Sequence, residues 1–419
     1  MNAATTPQNG LLKEIIAWYL NSGEFNGLPV RGDVAADRRR EAIELVRAGL
    51  VQVVSEDDYM NPHIRPWPSH RSVGDQVGSL RDLKRTSYAV CLYPTPAAMK
   101  GIRLPRRFAD RPYAQAMARG RGTLELAFFA VDVLEPYRND PRYRFGFHDF
   151  GVDMSIEDDA YVDEMEPERD KISLRHLGFA YDLSGYDKTD LNSTIIRRVC
   201  AFYCDLITLT PEHQQRWKSY QVSDDGLEPH PEWWGMQMGN WADGVGPFTR
   251  LFFELQNVNE LFERAFDVPL FTTTKRPDDF GWLLRPSQRE WDEFVQQLDK
   301  VLSENLRHDA FDAVGVDRVD ERGQNLGTLT RLQHFMVNHG IATEVARNVL
   351  KPLRDVRSAR QRPAHALREN ISDKTFVHRQ VALLSELNDS LVEIRRWLST
   401  HPKNRSWKQP HEDLVDYRM

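Results

Sequence analysis

Apolar and polar positions alternate with three different rhythms along the 419-residue chain. Residues 11–20 (Leu-Leu-Lys-Glu-Ile-Ile-Ala-Trp-Tyr-Leu) repeat at helical spacing, and a second helix is expected over 36–48, ended by Gly49. The β-branched run Leu50–Val54, the acidic turn Ser55–Asp58 and Asn61-Pro62 then suggest two short strands forming a hairpin. Between 71 and 285 the pattern is mixed. Strands are expected at 87–93, 122–133, 143–153 and 174–181; helices follow at 192–209, after the Thr210-Pro211 cap, and at 247–266. Strands grouped ahead of helices argue for an α+β domain and against a doubly wound parallel sheet. From residue 286 nearly everything reads as helix. Ser287 and Glu290 form a capping box ahead of the apolar stripe Trp291, Phe294, Val295, Leu298, Val301, Leu302 and Leu306. Further helices are expected at 326–338 and 341–360, the second broken near Pro352. After Ser372, Val377, Leu384, Leu391 and Leu398 recur every seven residues, as on one wall of an antiparallel helical bundle. The expected fold class is therefore multidomain α+β: a small N-terminal module over 1–70, a central α+β sensor or recruitment domain over 71–285, a helical bundle over 286–400 and a mobile tail over 401–419.

Composition narrows the class. With 41% hydrophobic and 28% charged residues the chain is ordinary globular material. Apolar runs such as Leu126–Val131 fall far short of the ~20 residues a membrane helix needs. The first ten residues lack a basic and an apolar signal region, and only Cys91, Cys200 and Cys204 are cysteines, so the expectation is a cytoplasmic protein without a membrane, metal or other cofactor. The net charge of -7 is unevenly spread: twelve Lys/Arg face four acids between Arg65 and Glu125, whereas nine acids face Arg169 alone between Asp153 and Asp170. Either one face meets a polyanion, or two solvated surfaces attract each other.

Several chemistries lack their residues. There is no P-loop, no Gly-x-Gly-x-x-Gly, no Gly-x-Ser-x-Gly elbow, no His-Glu-x-x-His and no Cys-x-x-Cys. Cys200 and Cys204, four apart on an expected helix, read as buried thiols rather than metal ligands. The acidic residues of 157–170 offer carboxylates for a divalent cation but no glycine-punctuated loop to order them. Trp233, Trp234, Met236, Met238 and Trp241 either line a ligand pocket or pack on their own core.

Two resemblances carry the functional expectation. The N-terminal module resembles a winged helix, with Arg38, Arg39 and Arg40 opening the helix that enters a DNA groove and Lys84 and Arg85 as further basic contacts. Near the C-terminus the chain reads Val356-Arg-Ser-Ala-Arg-Gln-Arg-Pro-Ala-His365, within a stretch (351–370) of six basic and two acidic residues. The spacing of Arg360 and His365 recurs at Arg65/His70 and Arg396/His401, but only Arg360/His365 falls inside the expected bundle. That combination resembles the HEPN superfamily over about 286–400. The resemblance implies a homodimer that brings Arg-x(4 to 6)-His motifs of two chains into one cleft and cleaves RNA without metal, leaving a 2',3'-cyclic phosphate. It assigns His365 to proton transfer and Arg360 to the scissile phosphate, with Gln361, Arg357 and Arg362 beside the substrate; an always-charged guanidinium fork and an imidazole titrating near neutrality suit those tasks. Gln361 departs from the family's usual Asn or Asp after the motif arginine, and Pro363 interrupts the motif. Such architectures are similar to toxin and anti-phage effectors. The competing readings are a non-enzymatic nucleic-acid-binding regulator whose bundle only dimerises, and a small-molecule sensor built around 233–241.

Overall fold

The computed structural model describes residues 10–68, 70–83, 90–156, 172–183, 196–240, 244–361, 369–410 and 415–416. The chain is mixed α+β and divides into two compact units, one of residues 1–133, 155–174 and 200–225, the other of 134–154, 175–199 and 226–419.

In the first unit, α1 (Gly10–Asn21), β1 (Leu28–Val30), α2 (Ala36–Arg47), β2 (Val51–Val54), α3 (Val73–Arg81) and β3 (Val90–Pro94) share one core. It joins Leu11 and Ile15 of α1, Leu45 and Val46 of α2, Leu80 of α3 and Leu92 of β3. Gly49 ends α2 in the left-handed region (φ 69°), as its position after the last apolar turn predicts. The expected hairpin does not form. β2 pairs with β3, antiparallel, with Val53 opposite Leu92, and β1 pairs on β3's other edge. The unbroken apolar run of β3 is buried throughout and takes the centre of the sheet, whereas Asn61-Pro62 supplies a proline that cannot donate to a ladder. Ser55–Asp58 does turn, held by the Asp58 carboxylate, which accepts from the Ser55 amide at 2.8 Å and Arg71 at 2.9 Å.

Further along, α4 (Pro112–Ala118) precedes β4 (Leu126–Ala130), which pairs antiparallel with Gln221–Val222. Thr210 caps the helix Pro211–Ser219 through its side chain, as expected. The segment 192–209 departs from its expected helix: Ile196–Phe202 is a strand, followed by the single turn Tyr203–Leu206. Residues 199–202 are buried on successive positions, an environment that a strand covered on both faces provides and an amphipathic helix does not. Burial pushes the thiols of Cys91 and Cys204 up to about 12, and none of the three cysteines is in a disulfide, so they read as packing groups.

In the second unit, β5 (Tyr143–Phe147), β6 (Gly151–Ile156) and β7 (Ser173–Asp182) lie side by side, with the start of β8 (Ile196–Phe202) next to β7. The strand expected over 143–153 is thus two, folded back at 148–150. Its longer helices among the described residues include α5 (Pro231–Gln237), α6 (Pro247–Phe266), α7 (Gln288–Val301), α8 (His308–Ala313), α9 (Thr328–Asn338), α10 (Thr343–Val349), α11 (Lys351–Gln361) and α12 (Thr375–Ser399). Between α5 and α6, β9 (Gly244–Val245) pairs in parallel with β10 (Val415–Asp416). α12 packs along α6, where the buried Glu254 carboxylate accepts from Arg395 at 2.6 Å, and α7 packs against α11. The bundle therefore recruits α6, which precedes residue 286. Along α12 the inward row is Phe376, Gln380, Leu384, Leu387, Leu391, Ile394 and Leu398. Val377, the expected first member, is half-buried, because Gln380 takes the core position: it donates to Gly281 O at 3.0 Å and accepts from the Leu283 amide at 3.2 Å. The α10–α11 break falls at Leu350, just ahead of Pro352. Ser287 caps α7, but Glu290 completes no box: its carboxylate accepts from the Leu284 amide at 2.7 Å instead. The expected mobile tail is docked at its start, where buried Asn404 donates to Leu261 O and Leu398 O, both at 2.9 Å.

His230 caps α5. Its ring stacks on Phe150 (centroids 4.1 Å apart) and its Nδ1 accepts from the Glu232 amide at 3.2 Å. Burial lowers its pKa to about 4. A histidine held neutral in the folded state contributes its full stability above the unfolded value near ~6.5 and loses it as pH falls through 4. Unfolding measured between pH 7 and 4 is expected to show about 3 kcal/mol of destabilisation from this residue. His230→Gln should remove that part of the pH dependence; an unchanged slope would assign it elsewhere.

Candidate functional site

Gln361 ends α11 and is exposed; Arg357 and Arg360 lie one turn apart on one side of the same helix. His365 and Arg362 lie outside the described residues, as do Lys84, Arg85, Trp241 and the acidic run 157–170. The structure consequently brings Arg360 and Arg357 together and leaves the Arg360/His365 pairing without a geometry.

The two arginines have different surroundings. Arg360 reaches α7, donating to the Asp299 carboxylate at 2.6 Å and also to Glu304. Asp299 is fully buried and its second oxygen accepts from the Ser303 hydroxyl. The hydrogen bond to Asp299, then that to Glu304, raises the Arg360 pKa above its ordinary value. A carboxylate near the C-terminal end of α7 opposes the helix dipole, and Arg360 offsets both charges. Arg357 makes only a 3.3 Å bond to Ser303 Oγ; among the described residues no carboxylate pairs with it.

Arg357 lines a cleft of about 570 Å³ with Ser303, Glu304, His308, Arg318, Asn325 and Thr328. The elements are held by Arg331, which has no exposed surface. Its guanidinium donates to Asp312 (2.6 Å), to the carbonyls of Val316 (2.7 Å), His308 (2.9 Å) and Asp317 (3.1 Å), and to His308 Nδ1 (3.2 Å). Arginine has no acceptor, so in this contact the His308 Nδ1 accepts. Arg318 is tied to Asp312, whose carboxyl is held well below the usual range by Arg318 and then Arg331. α9 begins at Gly327 on the cleft wall with no side-chain cap, and Thr328 donates to Ser303 O at 2.7 Å. Arg357, the start of α9 and His308 thus line one polar space, and a guanidinium with a helix start is a donor set an oxyanion takes. Among the described residues no cluster of His, Cys, Asp or Glu has the composition of a metal site.

Of these groups the sequence singled out Arg357 and Arg360. Ser303, His308, Thr328 and Arg331 carried no motif; they meet only through the packing of α7, α8, α9 and α11.

In the N-terminal module the three arginines are engaged. Arg38 pairs with Glu14 of α1 at 2.5 Å, Arg39 donates to Gly32 O at 3.0 Å and Arg40 pairs with Asp37 one turn back. Trp233 and Met236 lie on α5, and Trp233 is buried. Among the described residues no helix is long and apolar enough to cross a membrane. Comparison with protein-family models, with curated proteins and with solved structures finds no match for this chain.

Proposed function

We propose that the helical region of the second unit is a metal-independent endoribonuclease of HEPN type, the effector of a toxin or anti-phage system, and that the cleft beside α11 takes its scissile phosphodiester. The observation that carries this reading is Arg357, a guanidinium without a carboxylate partner among the described residues, on the wall of a cleft that also holds His308. In this reading the 2'-hydroxyl gives up its proton and attacks phosphorus, the P–O5' bond breaks, and the leaving oxygen takes a proton. Arg357 binds the non-bridging oxygens, and Arg360, already held by two carboxylates, positions the end of α11. His365 remains the proton-transfer group that the HEPN resemblance assigns, and the pairing of two chains in a homodimer is part of the same proposal. The first unit serves recruitment. Its sheet order β1-β3-β2 suits the winged-helix reading, while α3, placed between β2 and β3, is not where that motif puts its third helix.

Purified full chain, incubated with mixed RNA in EDTA, is expected to yield 2',3'-cyclic phosphate ends. Arg357→Ala and His365→Ala should each lower the rate by about 10²–10³, the scale for removing one transition-state donor, with unchanged melting temperature. Equal cleavage by all three proteins would sink the reading.

A further inference from the structure

A second cavity lies apart from the α11 cleft in sequence and chemistry. It encloses about 370 Å³ between β6, β7, α5 and the start of α6, at the lower end of the range for small-molecule sites. Its walls are apolar: Phe150, Leu177, Trp233, Met236 and Val245. Gly151 and Gly246 allow the walls to close, since a Cβ at 151 would stand 2.1 Å from Leu177 O and one at 246 would stand 2.4 Å from Asp149 Cβ.

The polar groups at this cavity are unequally partnered. Asp149, on the floor, is buried and spent: it accepts from Arg276 at 2.9 Å and from the Thr249 amide at 3.0 Å. Asp153 at the rim is paired with His148 at 2.8 Å. Arg175, exposed at the rim beside His176, has no carboxylate partner among the described residues. Both carboxylates thus already accept hydrogen bonds from protein groups, whereas the Arg175 guanidinium has no such carboxylate contact among the described residues. Met236 keeps 43% of its surface exposed where it borders the cavity, apolar surface that an occupant would cover.

We infer that this cavity binds a small molecule with an aromatic or aliphatic body and a single anionic group, the body against Trp233, Leu177 and Met236 and the anion on Arg175. The proposal stands independently of the ribonuclease reading. It also moves the ligand contact within the tryptophan-rich segment to Trp233 and Met236, because Trp234 does not line the space.

The test uses 1-anilinonaphthalene-8-sulfonate, which joins an apolar aromatic body to one anion, titrated into the full chain under native conditions. One saturable site per chain is expected. Arg175→Ala should weaken it about tenfold, and Leu177→Trp, which fills the cavity, should abolish it. If Leu177→Trp lowers the melting temperature or loses near-UV dichroism, Met236→Trp at the mouth replaces it with the same expected loss. Absence of a saturable site, or binding unchanged in the filling variant that folds, overturns the site. Equal affinity for the uncharged 1-anilinonaphthalene overturns the assignment of an anionic ligand.

Discussion

Arg331→Met is expected to lower the folding stability by about 3–5 kcal/mol, measured by urea unfolding followed by far-UV dichroism. The guanidinium is fully buried, and its bonds to the His308, Val316 and Asp317 carbonyls and to Asp312 hold α8, the 316–317 loop and α9 in one arrangement. Methionine fills much of the volume but donates nothing, so the carbonyls lose their partner without gaining water. Arg331→Lys should rescue little, since a single ammonium cannot span acceptors placed for a planar fork. The imidazole of His308 would also lose the donor to its Nδ1. A loss below about 1 kcal/mol would show that water reaches these carbonyls in the folded chain.

The second large effect concerns the Arg360–Asp299 pair. Arg360→Ala leaves a fully buried carboxylate bonded only to the Ser303 hydroxyl, and is expected to cost about 2–3 kcal/mol. That is below the range for a wholly buried pair because the Arg360 side chain is 32% exposed. Asp299→Ala alone should cost less, as Arg360 still has Glu304 and water, and the double variant should cost less than the sum of the singles. Additive losses in thermal or urea unfolding would contradict the coupling. The consequence for function is direct. Loss of RNA cleavage in Arg360→Ala does not by itself mark a catalytic group, whereas Arg357→Ala removes a guanidinium whose described contact is one hydroxyl bond.

Much of the chain's local structure was legible in the sequence. The helix 247–266 matches its element to the residue, Thr210 and Ser287 cap as their types dictate, Gly49 stops α2, and the break ahead of Pro352 follows from a residue that cannot continue a helix. These are local matters, decided by periodicity, side-chain oxygens and backbone freedom within a few residues of each other. Two elements went the other way for a common reason. Residues 196–202 present the apolar content of a buried helix and of a buried strand alike, and β2 could pair with any neighbouring extended segment; only the burial of 199–202 and the central place of β3 separated the options.

The candidate site divides along the same line. Arg357 and Arg360 were conspicuous because they sit in a basic run close in sequence. That one meets only a hydroxyl and the other a pair of carboxylates was not, because Asp299 lies 61 residues from Arg360 and Ser303 lies 54 from Arg357, and no sequence pattern links them. His308 and Arg331 are 23 apart and carry no motif. By itself the sequence determined most of the helices and their caps, that the chain is multidomain α+β, and where cationic side chains are concentrated. Only the tertiary structure decided which of those cations are neutralised, because charge pairing depends on distances of a few ångströms between elements brought together by the burial of their apolar faces, which periodicity orients but does not pair.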